Sequence, residues 1–138
     1  MNMPIDEFRK EEDLTACCAY WQRMLFLDDW IIKATVSAPE DFINKEVCGE
    51  NIFDVINKCS RIRILEKKYY GDRIMYYCAE KILVHELLHC KYNVLSSGDN
   101  YESVMLDIHE HALLEEMAKT LIMTKYNLDL GYFKKKIK

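Results

Sequence analysis

The sequence predicts an α+β fold: an N-terminal helix, a small mixed sheet of about three strands, an active-site helix and a C-terminal Glu-bearing helix. Three observations carry that expectation. Apolar residues near the N-terminus recur with a helical period, and three short β-rich runs fill the middle of the chain. No Gly or Pro interrupts Ala79 to Leu95, or the stretch from about 102 to 125, so two further helices follow. A chain of 138 residues, half of them apolar, supports one core but not two. The expectation is therefore a single domain over 1–138, with 1–12 and 132–138 as flexible ends.

Each element has its own signature. Leu14, Cys17, Cys18, Trp21 and Leu25 fall at i, i+3, i+4, i+7 and i+11, which is one face of an amphipathic helix. The charged run Asp6 to Asp13 reads as its exposed first turns or a frayed lead-in. Trp30 to Val36 is β-rich and is stopped by Pro39. Residues 46–53 and 59–65 form two more short strands around Asp54 to Lys58. In the second, Arg61 and Arg63 alternate with Ile62 and Ile64, so one face is dry and one is wet. Those alternating charges also suit an edge strand. Ser96-Ser97-Gly98-Asp99-Asn100 is a loop between the last two helices, and Lys134-Lys135-Lys136-Ile137-Lys138 reads as a solvated tail.

The chemistry concentrates at His85-Glu86-Leu87-Leu88-His89. A spacing of four puts both imidazoles on one helix face, one turn apart, where they can share a metal ion. Glu86 projects about 100° round the helix, so it misses the metal and can reach a water bound there. Two neutral histidines with a carboxylate base beside them are what a zinc hydrolase requires. Ile82, Leu83, Val84, Leu87, Leu88, Val94 and Leu95 surround this helix rather than striping it, as in a buried helix. Histidines and a glutamate buried in such a helix need partners, and a metal supplies them.

A third ligand is expected from the next helix. On a wheel of about 100° per residue, Leu106, Leu113, Leu114, Met117 and Leu121 lie within about 60° of Glu110. A lone carboxylate in an apolar stripe is costly unless paired or metal-bound. Glu110 is the expected ligand, with His111 as the alternative and a salt bridge as the competing use of Glu110. His109 and His111 fall on the stripe's margins, as surface or supporting histidines.

HELLH followed by a later helical glutamate resembles the gluzincin branch of the zincin metallopeptidases. More narrowly, the chain is similar to small HExxH-type metallopeptidases of bacteriophages and bacteria. The matching residues are Leu27-Asp28-Asp29-Trp30-Ile31-Ile32, Gly49, Arg61-Ile62-Arg63-Ile64-Leu65, Val84 to His89, and Glu110 with Met117-Ala118. They span most of residues 14 to 122. Lys91 departs from the pattern, standing where zincins usually place an apolar residue. The resemblance implies a minimal zincin-like fold and one zinc ion per chain. It also implies an edge strand that pairs with extended substrate beside the active-site helix, a role it gives to 59–65.

The expected activity is zinc-dependent hydrolysis of peptide bonds, with His85, His89 and Glu110 on the metal and Glu86 as general base. The substrate is then a peptide or protein. The competing expectation is a catalytically silent metal-binding module that regulates or docks a protein; the intact Glu86 weighs against it. A third, a closed structural site, requires His109 or His111 to turn inward. The net charge of −4 argues against an obligate nucleic-acid partner. No apolar run reaches transmembrane length, and Met1 to Asp13 is too charged for a secretory segment. Six cysteines without a CxxC pair then read as buried thiols of a reduced, cytoplasmic protein, in the host cytoplasm if phage-encoded.

Overall fold

The computed structural model describes residues 2–92 and 101–138, with side chains described outside 101–106. The predicted loop at 96–100 lies outside the described residues, as do Val94, Leu95 and the side chain of Leu106. The architecture is α+β. Helix α1 spans Glu11–Met24, strands β1, β2 and β3 span Ile31–Ser37, Gly49–Asp54 and Cys59–Leu65, and helices α2 and α3 span Ala79–Lys91 and Tyr101–Tyr126.

The sheet order is β1-β3-β2, with β1 parallel and β2 antiparallel to β3. This corrects the expectation for 59–65: β3 is the central strand, and β2 is the edge strand packed beside α2. Alternation in β3 reported its two faces correctly, but sidedness carries no information about position in a sheet. Ser60, Ile62 and Ile64 are buried on one face, while Arg63 on the other is spent on a cross-strand pair with Glu50 at 2.9 Å.

Helix α2 is the axis of the core. Of its 13 residues all but His85 and Lys91 are buried, which bears out the reading of a helix apolar all round. Lys91 turns outward, with Nζ near the Phe26 carbonyl at 3.4 Å and above the Phe26 ring, so the departure from an apolar residue costs no packing. The N-terminus of α2 lacks a side-chain cap, and its unpaired amides would be costly if left buried. The N-terminal segment supplies the acceptors: Ala79 and Glu80 donate to the carbonyls of Asp6 and Ile5 at 2.9 and 3.0 Å.

Glu80 is the second fixture. It is fully buried and accepts from Trp21 Nε1 on α1 and Lys125 Nζ on α3, both at 2.8 Å. Tyr126 Oη donates to it at 2.6 Å and the Ile5 amide at 2.9 Å. One carboxylate therefore joins all three helices and the N-terminal segment. Burial alone would raise its pKa, but the hydrogen bonds from Lys125, Tyr126, Ile5 and Trp21 outweigh burial and hold it below the ordinary carboxylate value.

Residues near both ends of the chain pack against the body. Phe8 and Phe133 are buried in the core. The lysine run forms a 3-10 turn at Lys134–Lys136, Ile137 bridges Met75, and the Tyr76 amide donates to the Lys136 carbonyl at 2.8 Å. All six cysteines are free, and among the described residues no helix is long and apolar enough to cross a membrane.

Candidate metal centre

The site forms where α2 and α3 cross, with β2 closing one side. Helix α2 presents His85 and His89, whose ring centroids lie 5.1 Å apart. Helix α3 adds His111, 5.6 Å from His85 and 4.7 Å from His89 between centroids. Each of the three rings offers one nitrogen, and these nitrogens all lie within 4.8 Å of one another. His85 Nε2 and His111 Nδ1 are 3.3 Å apart. Two ligands at about 2.0–2.1 Å on a tetrahedral zinc stand about 3.3–3.4 Å apart, so this pair already has the spacing of a coordination edge.

Carboxylates stand behind the rings. Glu115 Oε1 is 3.2 Å from His85 Nδ1, and a carboxylate can only accept, so Nδ1 carries the proton and Nε2 keeps its lone pair. Asp107 Oδ1 is 3.5 Å from His111 Nε2, and Glu110 Oε1 is 4.0 Å from His89 Nδ1. His85 thus has a carboxylate in hydrogen-bond reach of Nδ1, whereas Asp107 and Glu110 only approach His111 and His89. The nitrogens that face each other are Nε2 of His85 and Nδ1 of His111. Carboxylates in such positions orient imidazole ligands and raise their basicity. Lys81, buried in the first turn of α2, holds the other oxygen of Glu115 at 2.8 Å.

Electrostatics act in opposite directions on the two histidines of α2. His89 is pushed down to about 3, chiefly by burial and then by the neighbouring His85 and His111. Burial also disfavours the His85 cation, but its hydrogen bond to Glu115 and the charge of Glu86 outweigh burial and raise its pKa. Burial opposes the Glu115 anion too, yet His85 and Lys81 hold its pKa down at about 2.

Glu86 is buried one residue beyond His85 and points to the β2 side. Burial pushes its pKa up to about 7 against the pull of His85. Gly49 opens β2 directly against it: a Cβ there would lie 2.7 Å from both Glu86 Oε2 and Ile82 Cγ2. The glycine is needed for that close approach. Asn51, two residues on, donates to the Glu86 carbonyl at 2.6 Å, and its own Oδ1 accepts from Ser60 at 2.5 Å. The site helix is in this way pinned to the sheet at the residue that bears the carboxylate.

A cleft of about 470 Å3 runs along these groups, with His85, Glu86, His111 and Glu115 in its wall and Tyr70, Arg73 and Cys48 opposite. Of the residues singled out from sequence, His85, Glu86 and His89 are placed together. Glu110 lies beside His89 with its side chain 9 % exposed, outside the three-nitrogen group. His111, the alternative, is inside the group although half exposed, and His109 is exposed. The wheel explains the shift. Leu113 is 55 % exposed, and the buried spine of α3 is Leu114, Ala118 and Ile122, about 40°, 80° and 120° round from Glu110. His111, at about 100°, lies on that spine's axis.

Sequence reasoning missed Glu115, Lys81, Asn51 and the close approach at Gly49. The i, i+4 spacings Lys81–His85 and His111–Glu115 were visible signals, since residues four apart share a helix face. Compared with known proteins, the chain matches no family model, no curated protein and no solved structure.

Proposed function

We propose that the protein is a zinc-dependent metallopeptidase in which His85, His89 and His111 hold the metal. The single observation that carries the reading is three imidazole nitrogens converging within 4.8 Å beside a buried glutamate that belongs to neither the ring cluster nor an ion pair with it. The donor set suits zinc, which takes three protein nitrogens and keeps a fourth position open at catalytic sites. When bound, zinc supplies a Lewis acid and lowers the pKa of water at that position.

The chain's own residues do the rest. Glu86 takes a proton from the attacking water and hands it to the departing amine. Gly49 and Asn51 fix where the carboxylate stands, and Glu115 with Lys81 holds His85 in the tautomer that leaves Nε2 free. Glu110 supports His89 from its Nδ1 side. Strand β2 is the edge strand next to the cleft, so an extended peptide would pair along it and bring a scissile bond to Glu86.

The test compares wild type with Glu86→Gln on a peptide library, with zinc and with chelator. Glu86→Gln is expected to keep zinc and fold while losing hydrolysis, because an amide cannot act as the base. Equal behaviour of the two proteins overturns the hydrolase. The second reading, a metal-binding module without turnover, would need Glu110, now beside His89 Nδ1, to turn towards the three-nitrogen group and close the fourth position.

A further inference from the structure

Lys81 and Arg73 both line the cleft beside the imidazoles, and they are used differently. Lys81 is committed: its Nζ donates to Glu115 Oε2 at 2.8 Å, and the other oxygen of Glu115 faces His85 Nδ1. Arg73 forms no ion pair among the described residues. Its guanidinium donates to the carbonyl oxygens of Tyr70 and, at 3.1 Å, of Glu46, so it takes the backbone of Glu46 and not its carboxylate. Both partners are neutral. An arginine carries five N–H donors, so further donors and the full positive charge are left over.

The side chain is also held in place. The two carbonyls that grip it come from separate segments, one ahead of β2 and one just past the 3-10 turn Lys67–Tyr69. Its Cζ lies 4.9 Å from the centroid of the Tyr70 ring, and Tyr70 Oη donates to the Met75 carbonyl at 2.7 Å, which fixes that ring. Tyr70 is buried, whereas Arg73 keeps part of its surface in solvent. An anion arriving here meets a cation already oriented, so binding costs little ordering. The other charges of the cleft leave that cation uncompensated. Glu115 is matched by Lys81, Glu86 is buried against Gly49, and the exposed Glu46 makes no ion pair with Arg73.

We propose that Arg73 is the specificity residue of this cleft and binds a carboxylate of the substrate peptide. That the ligand is a peptide rests on the peptidase reading; that it carries a carboxylate rests on Arg73. A planar guanidinium matches a carboxylate with directed, charge-assisted hydrogen bonds. The same wall is apolar at Val47, Cys48 and Ile82, so the peptide gains contact area there and orientation at the one unpaired cation that the described residues place in the cleft. An acidic side chain and a C-terminus both present this group, and the experiment separates them.

The experiment is fluorescence anisotropy on the zinc-loaded Glu86→Gln protein, so that turnover does not intervene. The probes are fluorescein-labelled, alanine-based peptides in matched pairs: glutamate against glutamine, scanned along the peptide, and a free C-terminus against its amide. In one pair the charged member is expected to bind at least about tenfold more tightly, equivalent to about 1.4 kcal/mol. That preference should shrink as salt rises, and the pair that shows it names the source of the carboxylate. Adding Arg73→Gln is expected to abolish the preference, whereas a merely structural Arg73 would weaken both members of a pair alike. Arg73→Lys serves if Arg73→Gln unfolds by circular dichroism: it keeps the charge but not the planar fork, so its preference should fall without vanishing. No preference with Arg73 present, no measurable binding of any peptide, or a preference unchanged in the Arg73 variant overturns the proposal. The peptidase reading fails separately: wild type that binds with this selectivity and cleaves nothing refutes hydrolysis and leaves Arg73 as the carboxylate site.

Discussion

Replacing Glu80 by glutamine should destabilise the protein by about 3 kcal/mol. The residue is fully buried and takes four hydrogen bonds, one of them from the Lys125 cation. Breaking a buried ion pair from one side costs about 3–5 kcal/mol, because the remaining charge is stranded. Two features pull the value to the lower end. Lys125 keeps some solvent contact and lies 4.1 Å above the Tyr20 ring and 4.7 Å above the Tyr126 ring. The amide oxygen of glutamine can also still accept from one or two of the donors. In a domain of this length the loss corresponds to a fall in Tm of about 10 °C. Urea unfolding followed by circular dichroism measures it directly.

The same experiment has an acid limb. The Glu80 carboxyl is held below its ordinary value of 4.5, so its contribution is complete above that pH and is lost as pH falls through the lower folded-state value. The gap between wild type and Glu80→Gln should therefore be constant through neutral pH and narrow in acid. A variant within about 1 kcal/mol of wild type at pH 7, or a gap that widens in acid, would refute the idea that this carboxylate ties the three helices together.

Two further outcomes follow from the site. Gly49→Ala places a methyl 2.7 Å from Glu86 Oε2 and Ile82 Cγ2, so it should cost about 1–3 kcal/mol and suppress peptide hydrolysis while zinc content by elemental analysis stays near one per chain. Glu115→Gln removes the charge behind His85 and strands Lys81; it should weaken zinc binding about 10–100-fold in competition with a chromophoric chelator, without unfolding.

The fold was legible in the sequence where one periodicity had one explanation. The i, i+3, i+4 series from Leu14 to Leu25 became α1, and the alternation from Cys59 to Leu65 became β3 at the predicted bounds. The position of β3 within the sheet was not legible, because the partners that cover its edges are seven residues of β1 and six of β2, brought beside it only once the chain folds. The site shows the same division. His85, Glu86 and His89 sit on one helix, and their relation follows from helical spacing alone. The third histidine of the cluster comes from α3, and which residue that helix brings there depends on which of its flanks meets α2. The stripe read around Glu110 held Leu113, Leu114, Met117 and Leu121, of which Leu114 is fully buried; Ala118 and Ile122, buried with it, extend the buried face to one side of that stripe. Nothing local separates two adjacent apolar flanks. At the ends of the chain, charge at Asp6 to Asp13 and Lys134 to Lys138 masked Phe8 and Phe133, which pack in the core.

The central claim is that three histidines, with one further non-protein position, make the metal centre. X-ray absorption at the zinc edge on protein loaded with one equivalent of zinc tests it most directly. Three imidazole nitrogens at about 2.0–2.1 Å and one light oxygen that exchanges with added ligand are the predicted result, with the imidazole count falling by one in His111→Ala and unchanged in Glu110→Ala. A shell of four protein donors, or a protein that takes up no zinc, would contradict the account.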